Sequence, residues 1–416
     1  MTDSPIFESD AWHLTDQERK LTAQARELGE TRFADRAFGY DRDAEFPVEN
    51  YRDLHDAGLL GICIPSEYGG HGANLRAYAL TAAEVGRYCG ATALTWNMHV
   101  CSCLWSGALA DDLEMGRAAR KRHHETRAVH YRRILDDGAI YAQPFSEGGS
   151  AAAGTVAFST TAVRSDGGWV VCGKKIFASL AGSADYYGAL CTELQHADDK
   201  PSRSNTLYLA IPAKAEGVRV VGDWDPLGMR ATVSRTLLFE EVFVPDGSEL
   251  LPSGMYFQAA SRWPHMFMTL TPAYMGLAQA AYDFTVKYLR GELPGAPPVK
   301  RRMYPTKQLA VANMHLMLEQ TKSIWFQAMS EAGPNPTKEQ VLRAYAAQHS
   351  VMENANELAQ LAIRTCGGLS MLKSLALERI YRDSRCGSLM LPWTAEICLD
   401  RIGREALYEP GENDDA

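Results

Sequence analysis

Three rhythms of hydrophobic and polar positions follow one another along the chain. From Leu14 to about Ile134 the period is helical: Thr15 followed by Glu18 has the form of a capping box, and Leu21, Ala25 and Leu28 then recur at helical spacing. Pro47 opens a further helix that leads to the apolar segment 58–65, and a Gly-rich turn at 68–72 precedes more helix through Trp105. At Gly138 the texture changes. Short runs rich in β-branched residues, at Phe158–Arg164, Gly168–Cys172, Thr206–Ile211, Val218–Val221 and Arg235–Val244, are separated by turn signals such as Asp166-Gly167-Gly168 and Pro245-Asp246-Gly247. They predict an antiparallel β-domain. After Pro252 helical periodicity returns and holds to Tyr408, with turns at Gly291–Pro298, Gly333–Pro336 and Gly367-Gly368. The expected fold class is therefore α+β and multidomain: an all-helical N-terminal domain over 1–137, a β-barrel-like middle domain over 138–252, and a C-terminal four-helix bundle with an acidic tail over 253–416.

Composition narrows the function classes. Of the 416 residues 46% are hydrophobic and 22% charged, as in an ordinary globular protein. A net charge of −9 argues against nonspecific attraction to nucleic acid or to an anionic membrane. An anionic substrate would then need local Arg, Lys or helix N-termini. The basic run Arg120, Lys121, Arg122, Arg127, Arg132 and Arg133 reads as a solvated helix face, with contact to substrate phosphates as the sharper alternative. Nine scattered cysteines without a C-x-x-C pair argue against a disulfide framework and against a zinc site, and no metal is expected. The first ten residues lack the order of a signal peptide, and the apolar window Met266–Tyr282 reads as a core helix, so a cytoplasmic location is expected.

Four segments, in order, resemble elements of the acyl-CoA dehydrogenases. These are Gly58-Leu59-Leu60-Gly61 with Ile64-Pro65 and Tyr68-Gly69-Gly70; Phe145-Ser146-Glu147 with Gly148-Gly149-Ser150; Gly173-Lys174-Lys175-Ile176-Phe177-Ala178-Ser179; and Leu227-Gly228-Met229-Arg230-Ala231-Thr232 through Phe239–Pro245. The C-terminal half adds Cys366-Gly367-Gly368, Leu377-Glu378-Arg379 with Arg382-Asp383, and Thr394-Ala395-Glu396-Ile397, so the resemblance spans about Leu14 to Tyr408. It implies FAD. On that resemblance Phe145 and Ser146 line the pyrimidine side of the flavin, and Ser150 with its glycines meets a pyrophosphate oxygen. Phe177 stands where the family usually has a Trp stacked on the ring, and Ser179 stands where a Thr bonds near N5. Gly367 and Gly368 admit the adenosine half, and Thr394 and Glu396 match positions that hold the dinucleotide. The family's Arg-x-Thr-Phe-Gly clamp is changed here to Arg290-Gly291-Glu292-Leu293-Pro294-Gly295, and Arg364 is a candidate for the lost pyrophosphate charge, against a structural ion pair within its helix. Shared cofactor sites imply a homotetramer or homodimer.

The same resemblance exposes a gap. Dehydrogenation of an acyl thioester needs a carboxylate that removes the α-proton as hydride leaves for the flavin. At the usual position stands Pro392, followed by Trp393, and no Asp or Glu lies between Asp383 and Glu396. The family's other position falls on Ser261 or Met266, and no carboxylate lies between Glu249 and Asp283. His265 is the titratable residue of suitable pKa in that region, His99 a weaker candidate, and Ser261, Arg262, Leu391 and Trp393 are the substrate-side candidates. Three readings follow. The first is an FAD-dependent dehydrogenase of acyl thioesters with a relocated base, passing electrons to an electron-transfer flavoprotein. The second is a flavin-dependent monooxygenase on the same fold, using O2 and needing no such carboxylate. The third is a noncatalytic subunit of a heteromeric dehydrogenase.

Overall fold

The computed structural model describes residues 4–8, 10–149, 151, 156–294, 296, 298, 300–409 and 412. The N-terminal part is helical: α1 (Asp16–Leu28), α2 (Ala34–Asp43), α3 (Val48–Asp56), α4 (Leu75–Tyr88), α5 (Gly90–Leu104) and α6 (Arg117–Asp137). Thr15 caps α1 as its sequence predicts, with the Glu18 side chain accepting from the Thr15 backbone N–H at 2.7 Å. Gly138 ends α6 in the left-handed conformation and turns the chain into a sheet.

That sheet contains β1 (Tyr141–Ala142), β2 (Thr161–Ser165), β3 (Gly168–Ala178), β4 (Tyr186–Leu194), β5 (Thr206–Pro212), β6 (Val218–Val221), β7 (Arg235–Pro245) and β8 (Glu249–Leu251). Its order is β6-β7-β3-β2-β4-β5-β8, with β1 beside β4. The purely antiparallel expectation is corrected here. β4 runs parallel to β2 and to β1, because the chain leaving β3 crosses over and returns on the far side of β2. β3 is also longer than its first apolar run suggests, continuing past Gly173 through Lys175 alongside β7.

The C-terminal part returns to helices: α7 (Met255–Arg262), α8 (Thr271–Arg290), α9 (Pro305–Ser330), α10 (Lys338–Cys366), α11 (Ala376–Arg385) and α12 (Ala395–Leu407). α8 packs on α4 and α10 and joins the two helical parts. The α4–α8 crossing is close enough to require glycine on both sides: a Cβ on Gly276 would lie 2.3 Å from the Ala83 carbonyl oxygen, and one on Gly86 would lie 2.7 Å from that of Ala273. Gly276→Ala is therefore expected to destabilise the protein by about 1–3 kcal/mol through overpacking. A lowered midpoint in urea with an unchanged slope is the result to look for, and an unaltered midpoint would contradict the packing argument. No described helix is long and apolar enough to cross a membrane.

Candidate functional site

Where α5, the sheet and the C-terminal helices meet, they leave a cleft of about 550 Å³, within the range of small-molecule sites. The helical wall is mostly apolar, with Leu94 and Met98 from α5, Met266 and Phe267 from the turn before α8, and Met390 and Leu391 from the loop before α12; Asn97 and Thr269 are its polar members. The sheet side adds the hydroxyls of Ser146, Ser179, Thr232 and Ser234.

Local chemistry fixes that sheet wall. Lys175 is wholly buried on β3 and places its ammonium 2.7 Å from Glu147 and 2.6 Å from the Leu190 carbonyl oxygen. Glu147 also accepts hydrogen bonds from the Ser159 N–H and hydroxyl, at 2.6 and 2.7 Å, and from the Thr160 N–H at 3.0 Å. Burial pushes the Glu147 carboxyl up, but the adjacent ammonium and these donors outweigh it and hold the pKa at about 2. The ion pair thus ties the loop 145–149 to β3, and the Ile176 N–H donates to the Ser146 carbonyl at 2.8 Å. Phe145, braced by Trp105 at 5.4 Å between ring centroids, and Ser146 both border the cleft.

On the same strand the pairing with β7 shifts register between Lys175 and Ala178. Phe177 occupies that irregularity with φ 48°, a conformation costly for an aromatic residue. The residue is 69% exposed, so it does not belong to the core. It borders the cleft with Trp224 edge-on at 6.3 Å. Ser179 lines the same wall.

Among the described residues lining the cleft there is neither a carboxylate nor a histidine. The titratable groups there are Tyr256 and Cys386; burial raises both, the thiol to about 12, so each keeps its proton at neutral pH. The candidate base His265 is not among the lining residues, although Met266 and Phe267 beside it are. It is fully buried, neither ring nitrogen has a hydrogen-bond partner, and burial lowers its pKa to about 4. His99 is a bridge in the frame: Nδ1 accepts from the Tyr141 N–H at 3.1 Å, and Nε2 donates to the Leu60 carbonyl at 3.1 Å.

The other sequence candidates divide. Leu391 and Pro392 border the cleft, whereas Trp393 is buried against Tyr345 (4.4 Å) and Phe267 (5.7 Å). Ser261 is exposed and Arg262 is engaged through its carbonyl with the Asn335 N–H at 2.7 Å; neither lines the cleft, because the short helix α7 presents Tyr256 to it instead. Arg364, Gly368 and Glu396 lie exposed away from the lining, as does the half-buried Gly367, and no ion pair to Arg364 occurs among the described residues. A Cβ on Gly367 or Gly368 would meet nothing within 4 Å of this chain. Thr394 caps α12, accepting from the Ile397 N–H at 3.3 Å. Ser150 falls outside the described residues. Of the basic run, Arg127 is buried and bound to Asp111 (2.7 Å) and to the Ser106 carbonyl (3.1 Å), and none of the run borders the cleft. Sequence reasoning did not single out Trp105, Trp224, Tyr256 or Ser234; Trp224 and Ser234 flank a motif it did quote.

Models of the acyl-CoA dehydrogenase N-terminal, middle and C-terminal domains match residues 15–110, 145–242 and 258–407, in that order. The mitochondrial short-chain specific acyl-CoA dehydrogenase of Mus musculus is 28% identical over 378 residues, spanning 89% of this chain and 86% of its own. L-evernosamine nitrososynthase of a Micromonospora strain is 27% identical over 401 residues, spanning 90% and 87%. Among solved structures, KijD3 in complex with FMN and a dTDP-linked amino sugar superposes with a TM-score of 0.80 at 21% identity, covering 100% of this chain and 98% of that one. FMN-bound TdsC from Paenibacillus sp. A11-2 gives 0.78 at 21% identity, covering 93% and 97%. The two structures speak to fold alone. With all three domain models matched in sequence order around one cleft, the chain belongs to the acyl-CoA dehydrogenase family of flavoenzymes.

Proposed function

We propose that the protein is a flavin-dependent monooxygenase rather than a dehydrogenase of acyl thioesters. The observation that carries this reading is the cleft without a base: an α-proton has no carboxylate or imidazole to receive it among the described lining residues. The residues suit a flavin. An exposed aromatic face at Phe177, with Ser146 and Ser179 beside it, gives a ring a stacking surface and polar partners. When bound, a reduced flavin supplies the two electrons with which O2 is divided between substrate and water. The chain's own part is to bind that ring, to keep water out with the mostly apolar helical wall, and to orient a neutral substrate along it. A nitrososynthase among the relatives, and FMN in the KijD3 and TdsC structures, are consistent with this reading.

The altered Arg290–Gly295 segment favours an exchangeable flavin delivered by a separate reductase, FMN serving as well as FAD. Exposed apolar side chains at Leu309, Leu316, Met371, Leu372 and Leu407 support self-association of the C-terminal helices into a homodimer or homotetramer.

Anaerobic titration of the flavin-loaded protein with saturated acyl-CoAs of several chain lengths tests the reading. No bleaching of the flavin band is expected with any of them. With a flavin reductase, NADH and 18O-labelled O2, one labelled oxygen is expected in a neutral aromatic or amine product. Bleaching by a saturated thioester would overturn the proposal and restore the dehydrogenase.

A further inference from the structure

A run of hydroxyl groups crosses the sheet wall of the cleft. Ser179 Oγ lies 2.9 Å from Ser234 Oγ, Ser234 Oγ lies 2.7 Å from Thr232 Oγ1, and Thr232 Oγ1 lies 2.8 Å from the Met229 carbonyl oxygen. Each hydroxyl has one proton to give and two lone pairs to receive. The last member of the run, a carbonyl, can only accept. Thr232 therefore spends its proton on Met229, Ser234 must donate to Thr232, and Ser179 must donate to Ser234. Polarity is thus imposed from the buried end: Thr232 and Ser234 are buried while Ser179 is half-buried. With its proton committed, Ser179 offers the cleft lone pairs only.

The backbone around this run is held in a costly form. Of the eight non-glycine residues with positive φ among those described, four flank it: Phe177 and Leu180 on either side of Ser179, Met229 and Val233 around Thr232. Val233 is β-branched and sits at φ 48°. The two segments are clasped by the Leu180 N–H, which donates to the Thr232 carbonyl at 2.9 Å. Strain of this kind persists where surrounding structure over-determines it, and it gathers at functional sites.

We propose that Ser234 and Thr232 are positioning residues that fix Ser179 as a hydrogen-bond acceptor, so that the cleft holds reduced flavin in preference to oxidised flavin. The inference rests on the reading above, in which the ring lies on Phe177 with its N5 edge at Ser179. Reduced flavin carries a hydrogen on N5 and can donate to that acceptor. Oxidised N5 presents a lone pair and meets another lone pair. A protein wired in this way takes up the ring in the state delivered by a reductase and releases it once spent.

The test measures the midpoint potential of FMN bound to the full-length protein, with FAD in parallel, by spectroelectrochemistry. Tighter binding of the reduced form raises the potential of the bound flavin above that of free flavin. A tenfold preference corresponds to about 30 mV for two electrons. Wild type is expected to show at least that elevation. Thr232→Val keeps the shape and removes the hydroxyl that sets the polarity, and Ser234→Ala breaks the run in the middle. Each is expected to reduce the preference by about tenfold while still binding FMN. Ser179→Ala removes the acceptor at a half-buried position, is expected to leave the fold intact, and should do the same. Variants that keep the wild-type potential would overturn the proposal. A wild-type protein that binds neither redox form would instead overturn the flavin reading beneath it.

Discussion

Lys175→Met is expected to lower the unfolding free energy by about 3–5 kcal/mol, the usual cost of removing one partner from a buried ion pair. The side chain of Lys175 has no solvent exposure and that of Glu147 only 5%, so neither charge has water to fall back on. The sign of the pH dependence should change as well. In the wild type the Glu147 carboxyl is depressed to about 2, so its contribution to stability is present above the ordinary carboxyl range and is lost as pH falls through about 2. Without the ammonium, burial is opposed only by the Ser159 and Thr160 donors and the Glu147 pKa rises. The variant should then gain stability as pH falls from neutral toward 4, while the wild type does not. Urea denaturation at several pH values measures both effects, and parallel pH profiles for the two proteins would refute the account. Because this pair ties the loop 145–149 to β3, the variant should also bind flavin weakly at temperatures where it remains folded.

How much of this was legible beforehand depended on how local each determinant is. The Thr15–Glu18 box, the Gly138 stop and the helix that ends before Gly367 are written within a few residues, and the structure has them. β4 has no alternation to read in the sequence, since Tyr186–Leu194 is buried on nearly every residue and carries Gly188. The parallel pairing of β2 with β4 depends on a crossover that no periodicity announces. At the site, the motif segments brought Phe145, Ser146, Phe177 and Ser179 to one cleft. The helix-side candidates His265, Ser261 and Arg262 stand off the cleft for a geometric reason. In the short helix α7 and the single turn Pro264–Met268, an offset of one residue decides whether Met266 or His265 meets the cavity, and tertiary packing alone sets that offset. Ser234 could not be coupled to Ser179 across 55 positions without the sheet that brings them to 2.9 Å.

Phe177→Ala separates a residue kept for packing from one kept for a ligand. A core phenylalanine cut to alanine costs about 3–5 kcal/mol of stability. Phe177, at 69% exposure, has little buried area to lose, and its removal is expected to change stability by less than about 0.5 kcal/mol. Loss of a stacked aromatic surface from a ring-binding site costs about 1–3 kcal/mol of binding, a weakening of FMN affinity of roughly 5- to 150-fold. Two companions sharpen the measurement. Phe177→Trp restores a stacking face and should bind FMN at least as tightly as wild type. Phe177→Gly removes the ring but relieves the positive φ, so it should be at least as stable as Phe177→Ala while binding just as poorly. The pattern to seek is affinity tracking the aromatic ring while stability tracks the backbone, read from FMN fluorescence quenching and thermal melts of the same preparations. Were Phe177→Ala to unfold the protein, or leave flavin affinity untouched, the ring would not be the platform assigned to it and the flavin would have to lie elsewhere in the cleft.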